Sequence, residues 1–252
     1  MTALAVHSFL GQVARPHYEA VAQAVADEVG VSIEPLRETP LAELPAVAAG
    51  PPALLFVCGL PYTRLRDGGA PIEPLAAPVP EDEDGAWYRA DLLVAPGAST
   101  AAPEQLRGRR VAYNGDDSLS GWVLPRHALR ELGIDPDSYE WVQTGSHHNS
   151  LRALLRGEVE GAPIDSTVLA LELRADPELA ALTRIARLGR MPSPPVALVG
   201  GGPALAASLR AALTALHGSD EGREALALGA VQRFDAVGDA DYAPVRTADT
   251  TR

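Results

Sequence analysis

Three stretches of the chain carry side chains that could hold or transform a small anion. The first is Tyr113-Asn114-Gly115-Asp116-Asp117-Ser118-Leu119-Ser120-Gly121. It leaves a stretch with strand character at Arg110–Tyr113 and enters a helical pattern that Gly133 stops. The first turn of a helix has N–H groups without intrahelical acceptors, and the helix dipole adds to their pull on negative charge. The hydroxyls of Ser118 and Ser120 would lie in that turn. The plainer alternative is that Asp117, Ser118 or Ser120 only caps the helix. The second stretch is Gln143-Thr144-Gly145-Ser146-His147-His148-Asn149-Ser150, read as a loop between a strand at Tyr139–Gln143 and a helix from Asn149 to Arg156. His147 or His148 could donate to an oxyanion or serve as a general acid or base, or be an ordinary exposed loop histidine. The third, Ala162-Pro163-Ile164-Asp165-Ser166, sets Asp165 at a strand end. There it could bind a cationic or hydroxyl group, or cap a helix that starts near Ser166.

A further candidate is Cys58, at the end of the apolar run Ala53–Cys58, which is expected to be a buried parallel strand. The following Gly59-Leu60-Pro61-Tyr62 reads as a turn. A thiolate at Cys58 would need a base, and His7, ending an N-terminal strand Leu4–His7, is a candidate. A lone cysteine at a strand end serves equally well as a small buried hydrophobe.

Short apolar runs alternate with amphipathic segments along the chain, the pattern of an α/β protein. A helix is predicted over Pro16–Val29 and ended by Gly30, a second strand over Val31–Pro35, and an acidic loop over Pro80–Gly85. Pro203 opens a helix that runs to Leu216, and Ser219 caps a last one near Glu221–Leu228. The tail from Gly238 is small and polar and is expected to be mobile.

The chain has 252 residues, 46% hydrophobic and 21% charged, enough for one large domain or two lobes around a real core. Lys+Arg number 21 against Asp+Glu 33, a net charge of -12, which argues against nucleic acid as a partner. Every basic residue is arginine. That excludes lysine Schiff-base chemistry, pyridoxal phosphate included, and a Walker-type phosphate loop. The single cysteine excludes an intramolecular disulfide and a multi-cysteine zinc site. Neither a cofactor nor a metal is expected. No stretch approaches the ~20 apolar residues of a membrane span, so membrane insertion is not expected. The first residues lack a basic region and a long apolar run, and read as a strand rather than a signal peptide. The location expected from this is cytoplasmic, or periplasmic or extracellular if the start has been trimmed.

Taken in order, Leu106-Arg107-Gly108-Arg109-Arg110-Val111-Ala112-Tyr113-Asn114, Asp117-Ser118-Leu119-Ser120-Gly121, Thr144-Gly145-Ser146-His147 and Ala162-Pro163-Ile164-Asp165 resemble the phosphate/phosphite/phosphonate type of ABC-transporter solute-binding protein. The resemblance implies a type II periplasmic-binding-protein fold: two α/β lobes, a ligand cleft between them and two crossing segments. Lobe 1 would comprise residues 1–84 and 193–252 and lobe 2 residues 85–192, with crossings near Val79–Tyr88 and Gly189–Pro195. It implies binding of a small anionic or zwitterionic molecule, phosphonate-like, phosphate-like or a carboxylate, and an ABC permease as partner if the protein is exported. By motif match the ligand residues would be Ser118, Ser120, His147 and Asp165, with Tyr62 from lobe 1; Leu119, Gly121, Gly59 and His7 are further ligand-site candidates. Leu119 stands where many phosphonate binders have a polar residue, which leaves carboxylates open. The alternative is a cytosolic enzyme on the same fold, a lyase or dehydratase acting on a small anionic metabolite, with His147 and Asp165 as acid–base groups or Cys58 as nucleophile.

Overall fold

The computed structural model describes residues 3–250. Strands are β1 (Ala5–Ser8), β2 (Arg37–Glu38), β3 (Ala53–Phe56), β4 (Ile72–Pro80), β5 (Trp87–Val94), β6 (Arg110–Tyr113), β7 (Glu140–Gln143), β8 (Gly161–Asp165), β9 (Thr183–Pro192), β10 (Val196–Val199) and β11 (Val231–Ala236). The α-helices are α1 (Arg15–Val29), α2 (Leu44–Ala48), α3 (Gly59–Asp67), α4 (Leu124–Glu131), α5 (His147–Leu155), α6 (Ser166–Ala175), α7 (Gly202–Ala215), α8 (Asp220–Leu228) and α9 (Ala243–Thr250). They fall into two compact units, Met1–Trp87 with Pro192–Arg246, and Tyr88–Met191 with Thr247–Arg252. The division therefore falls inside α9.

The first unit is built on a mixed sheet of order β11-β4-β10-β3-β1-β2. β1 runs parallel to β2 and β3, whereas β10 is antiparallel to β3 and β4, and β11 to β4. β3 is apolar throughout and buried throughout, as a strand covered on both faces must be. Val21 and Val25 of α1 pack with Leu54, Phe56, Leu198 and Leu213 in one core. Pro16 sits in the first turn of α1, where its missing N–H is not needed, and Gly30 ends the helix at φ 73, a conformation that suits glycine. The second unit has a sheet of order β7-β6-β8-β5-β9. β6 is parallel to β7 and β8, and β5 is antiparallel to β8. Its core gathers Leu93, Ala112, Ile164 and Leu169 around Leu151 and Leu154 of α5.

Several local expectations are corrected. Val31–Pro35 forms only an isolated bridge between Leu4 and Ile33, and the paired strand is the short β2 that follows. The turn expected at Gly59–Tyr62 is the start of α3; Pro61 is tolerated because the first helical turn has no carbonyl for its absent N–H to reach. The segment 238–250, expected as part of a small polar tail, forms a short 3-10 turn and α9, and residues 251–252 lie outside the described residues. Tyr242 there is fully buried. Its ring meets Tyr62 edge-on at 4.9 Å and its hydroxyl donates to the Ser193 carbonyl at 3.0 Å.

Candidate functional site

The turn after β6 is set by Ser118. Its backbone is extended (φ -85, ψ 129), and its Oγ accepts the N–H of Gly121 at 3.0 Å, so it is the N-cap of the helix that follows. That helix opens as a π-turn, Leu119–Val123, with the Val123 N–H reaching the Ser118 carbonyl at 3.1 Å, and continues into α4. A π-turn widens the helix entrance and is often found at functional sites. A serine hydroxyl that accepts one hydrogen bond still has its own hydrogen to give. Ser118 can therefore cap the helix and donate outward. Leu119 is fully buried. Its side chain belongs to the interior of the unit, and only its backbone N–H can serve a ligand.

Gly121 is held to glycine by a neighbour. A Cβ there would lie 1.8 Å from Asn114 Oδ1 and 2.7 Å from its Cγ. The Asn114 carboxamide fills the space a side chain would need, and its Oδ1 is buried without a hydrogen-bond partner. Gly121→Ala must displace either the carboxamide or the turn. We expect it to lower affinity for an oxyanion more than about tenfold and to cost ~1–3 kcal/mol of stability from overpacking. Calorimetric titration and denaturant unfolding of the variant measure the two effects.

Ser146 caps α5 through Asn149, so His147 and His148 occupy its first turn rather than a loop. They diverge. His148 is exposed, with Nδ1 3.1 Å from both carboxylate oxygens of the buried Glu172. His147 points to the Ser118–Gly121 turn, with Nε2 3.1 Å from Ser120 Oγ. Its other nitrogen, Nδ1, is buried and has no partner. Burial holds the His147 pKa below the ordinary histidine range, against the opposing pull of Asp165 and Glu172.

Asp165 ends β8 and is the N-cap of α6, which starts at Ser166. Its Oδ1 accepts the Thr167 N–H at 2.9 Å, the Thr167 hydroxyl at 2.6 Å and the Val168 N–H at 3.3 Å. Its Oδ2 accepts the Ser120 hydroxyl at 3.2 Å. Capping and contact with the turn are thus both realised in one carboxylate. Ser120, His147 and Asp165 have the composition of a nucleophilic triad but not its wiring. Asp165 bonds the serine and not the histidine, so nothing orients His147 as a base against Ser120.

The remaining candidates lie in the first unit. Tyr62 is buried and donates to Asp239 Oδ1 at 2.6 Å; that carboxylate also accepts from Arg246 at 2.9 Å. Burial and Asp239 push the Tyr62 hydroxyl pKa far above the ordinary tyrosine value. Gly59 is the first residue of α3 and Cys58 its backbone N-cap. His7 is level with Leu55 in the β1–β3 register, three residues before Cys58, and its Nδ1 faces Thr39 Oγ1 at 2.8 Å. The ring nitrogen nearest Thr39 is thereby committed. Two groups beside the turn escaped sequence reasoning. One is Asn114, whose role depends on its contact with Gly121. The other is an aromatic cluster: Trp122 lies 4.4 Å from Tyr113 and 5.3 Å from Trp141, centroid to centroid, with Arg126 over its ring at 4.5 Å. The aromatic residues near the serine motif were the available signal for the second. Among the described residues no group of three or more His, Cys, Asp or Glu is placed to hold a metal ion.

The family described as the periplasmic substrate-binding protein of phosphonate ABC transporters matches residues 5–242. No curated protein matches the chain. Among solved structures, a binding protein component of an ABC phosphonate transporter from Pseudomonas aeruginosa superposes with a TM-score of 0.83 at 15% identity, over 99% of this chain and 86% of that one. A protein from Prochlorococcus marinus in complex with methylphosphonate gives 0.78 at 13% identity, over 99% and 97%. The periplasmic aliphatic sulphonate binding protein of Escherichia coli gives 0.67 at 17%, over 98% and 86%. At these identities the likeness is one of fold.

Proposed function

The chain belongs to the family of periplasmic substrate-binding proteins of phosphonate ABC transporters, and from that premise we propose that it binds a small phosphonate-type oxyanion at the Ser118–Gly121 turn of its second unit. Membership implies a small-molecule ligand and an ABC permease as partner, and of the locations considered it supports the periplasmic one. Among the described residues no helix is long and apolar enough to cross a membrane.

The observation that carries the proposal is the meeting at Ser120. Segments far apart in sequence bring His147 and Asp165 each within hydrogen-bond distance of Ser120, beside a helix entrance whose first amides precede any intrahelical acceptor. In this reading the amides of Leu119 and Ser120 and the Ser118 hydroxyl donate to the anion, His147 lies against it, and Asp165 holds the arrangement in place. Donors fixed by a cap and a π-turn need little reorganisation on binding. The test is calorimetric titration with methylphosphonate, inorganic phosphate, methanesulfonate and acetate. Saturable binding of an oxyanion that is lost in Gly121→Ala supports the reading. Absence of binding for all four probes, or binding indifferent to Gly121→Ala, removes it.

A further inference from the structure

The chain has two asparagines, Asn114 and Asn149, and the fold holds them differently. Asn149 lies in α5. Its carboxamide donates to the Thr144 carbonyl at 2.8 Å, and the next amide, the Ser150 N–H, donates to the Ser146 carbonyl at 3.0 Å. Asn114 is followed by Gly115 in the turn that leaves β6. Its Oδ1 has no hydrogen-bond partner, and among the described residues the Gly115 N–H has no hydrogen-bond acceptor. What holds the Asn114 carboxamide is packing against Gly121. The carboxamide carbon of an asparagine lies one ring closure away from the next backbone nitrogen. Glycine at that next position neither obstructs the approach nor restricts the backbone that must bend for it. Hydrogen bonds to either group oppose the closure, because each has to be broken first. At Asn149 both groups are bonded; at Asn114 the backbone nitrogen and the carboxamide oxygen are not.

We propose that Asn114 is a site of spontaneous deamidation, and that its product disables the helix entrance beside it. The deprotonated Gly115 nitrogen bonds to Asn114 Cγ, the Cγ–Nδ2 bond breaks, and ammonia leaves with the proton that Gly115 gave up. The cyclic imide then takes up one water and opens to aspartate or isoaspartate, with no oxidant or reductant needed. Either product is a carboxylate packed against Gly121, where the helix begins. It sits in the positive field of that helix N-terminus and opposes any external anion there. It also adds to the charges of Asp116 and Asp117 on the same turn. The isoaspartate form lengthens the main chain by one carbon atom and shifts the turn as well. The chemistry at Asn114 stands by itself; its effect on affinity rests on the binding reading above.

The experiment ages the whole folded protein at neutral and at mildly alkaline pH. Peptide mass spectrometry follows both asparagines, and an isoaspartate methyltransferase marks the isoaspartate form. Asn114 is expected to convert, faster at the higher pH because the nucleophile is the deprotonated amide, while Asn149 stays intact. Gly115→Ala should slow the conversion at least about tenfold. A Cβ at residue 115 meets nothing closer than Asp117 Oδ1 at 3.1 Å, the end of a flexible side chain, so this variant keeps the fold. An intact Asn114, an Asn149 that converts as fast, or a rate unchanged by Gly115→Ala overturns the site. The second arm is calorimetric titration with methylphosphonate. Asn114→Asp carries the charge of the product and should bind about 10- to 100-fold more weakly than the wild type. The aged fraction, separated by ion exchange, should be weakened likewise, and circular dichroism checks that both are folded. Undiminished affinity in either overturns the disabling effect. A fresh wild-type protein that binds no methylphosphonate overturns the binding reading, and the mass spectra then decide the deamidation site alone.

Discussion

Replacing Ser120 and His147 together by alanine should lower methylphosphonate affinity by at least about a hundredfold, because two polar contacts to a charged guest are removed at once, each of the order of 1.5–3 kcal/mol. The two single variants should not add. Ser120 Oγ fixes the His147 ring, so Ser120→Ala also releases part of what His147 contributes, and the double-mutant cycle should show coupling. The protein should remain folded, since neither side chain belongs to the apolar core of the second unit. Circular dichroism and thermal unfolding check that point, and titration calorimetry checks the affinity. Undiminished binding in the folded double variant would remove the site from this turn.

Asp165→Ala is the second large expectation, and it falls on stability as well as binding. The carboxylate receives both backbone amides at the start of α6 and the Thr167 hydroxyl on one oxygen, and Ser120 on the other. Alanine leaves these donors without acceptors in a position only 6% exposed. The loss of cap and satisfied donors should cost about 2–4 kcal/mol. Denaturant unfolding followed by tryptophan fluorescence reads this well, because Trp122 and Trp141 lie in the same unit. Asp165→Asn should recover most of the stability, which separates the capping role from the charge.

The architecture was legible where local chemistry and fold agree. The apolar run Ala53–Cys58, whose first four residues form β3, the helix closed by Gly30 and the cap at Ser219 follow from burial and from backbone groups that must be satisfied, whereas which of Asp117, Ser118 and Ser120 caps the first turn does not. What escaped was decided by distant partners. β4 carries Pro74, Pro78 and Pro80, which argue against an interior strand, yet it lies between β10 and β11 because tertiary pairing tolerates the missing donors. β11 and the buried tail depend on contacts such as Tyr242 with Tyr62, about which a local window is silent. At the site, the residue types pointed to a turn that suits anions. They did not show that Leu119 faces the interior, that His148 turns aside to Glu172, or that Asp165 bonds the serine rather than the histidine. Those are matters of direction, which spacing does not carry.

The close approach of Asn114 to Gly121 also bears on how this protein can diverge. The two positions share one space, so a side chain at residue 121 must push the Asn114 carboxamide or the turn aside unless residue 114 is shortened first. An evolutionary path that reverses this order passes through a crippled intermediate. Among descendants of this sequence, the identities at 114 and 121 should therefore change as a pair and in that sequence of events.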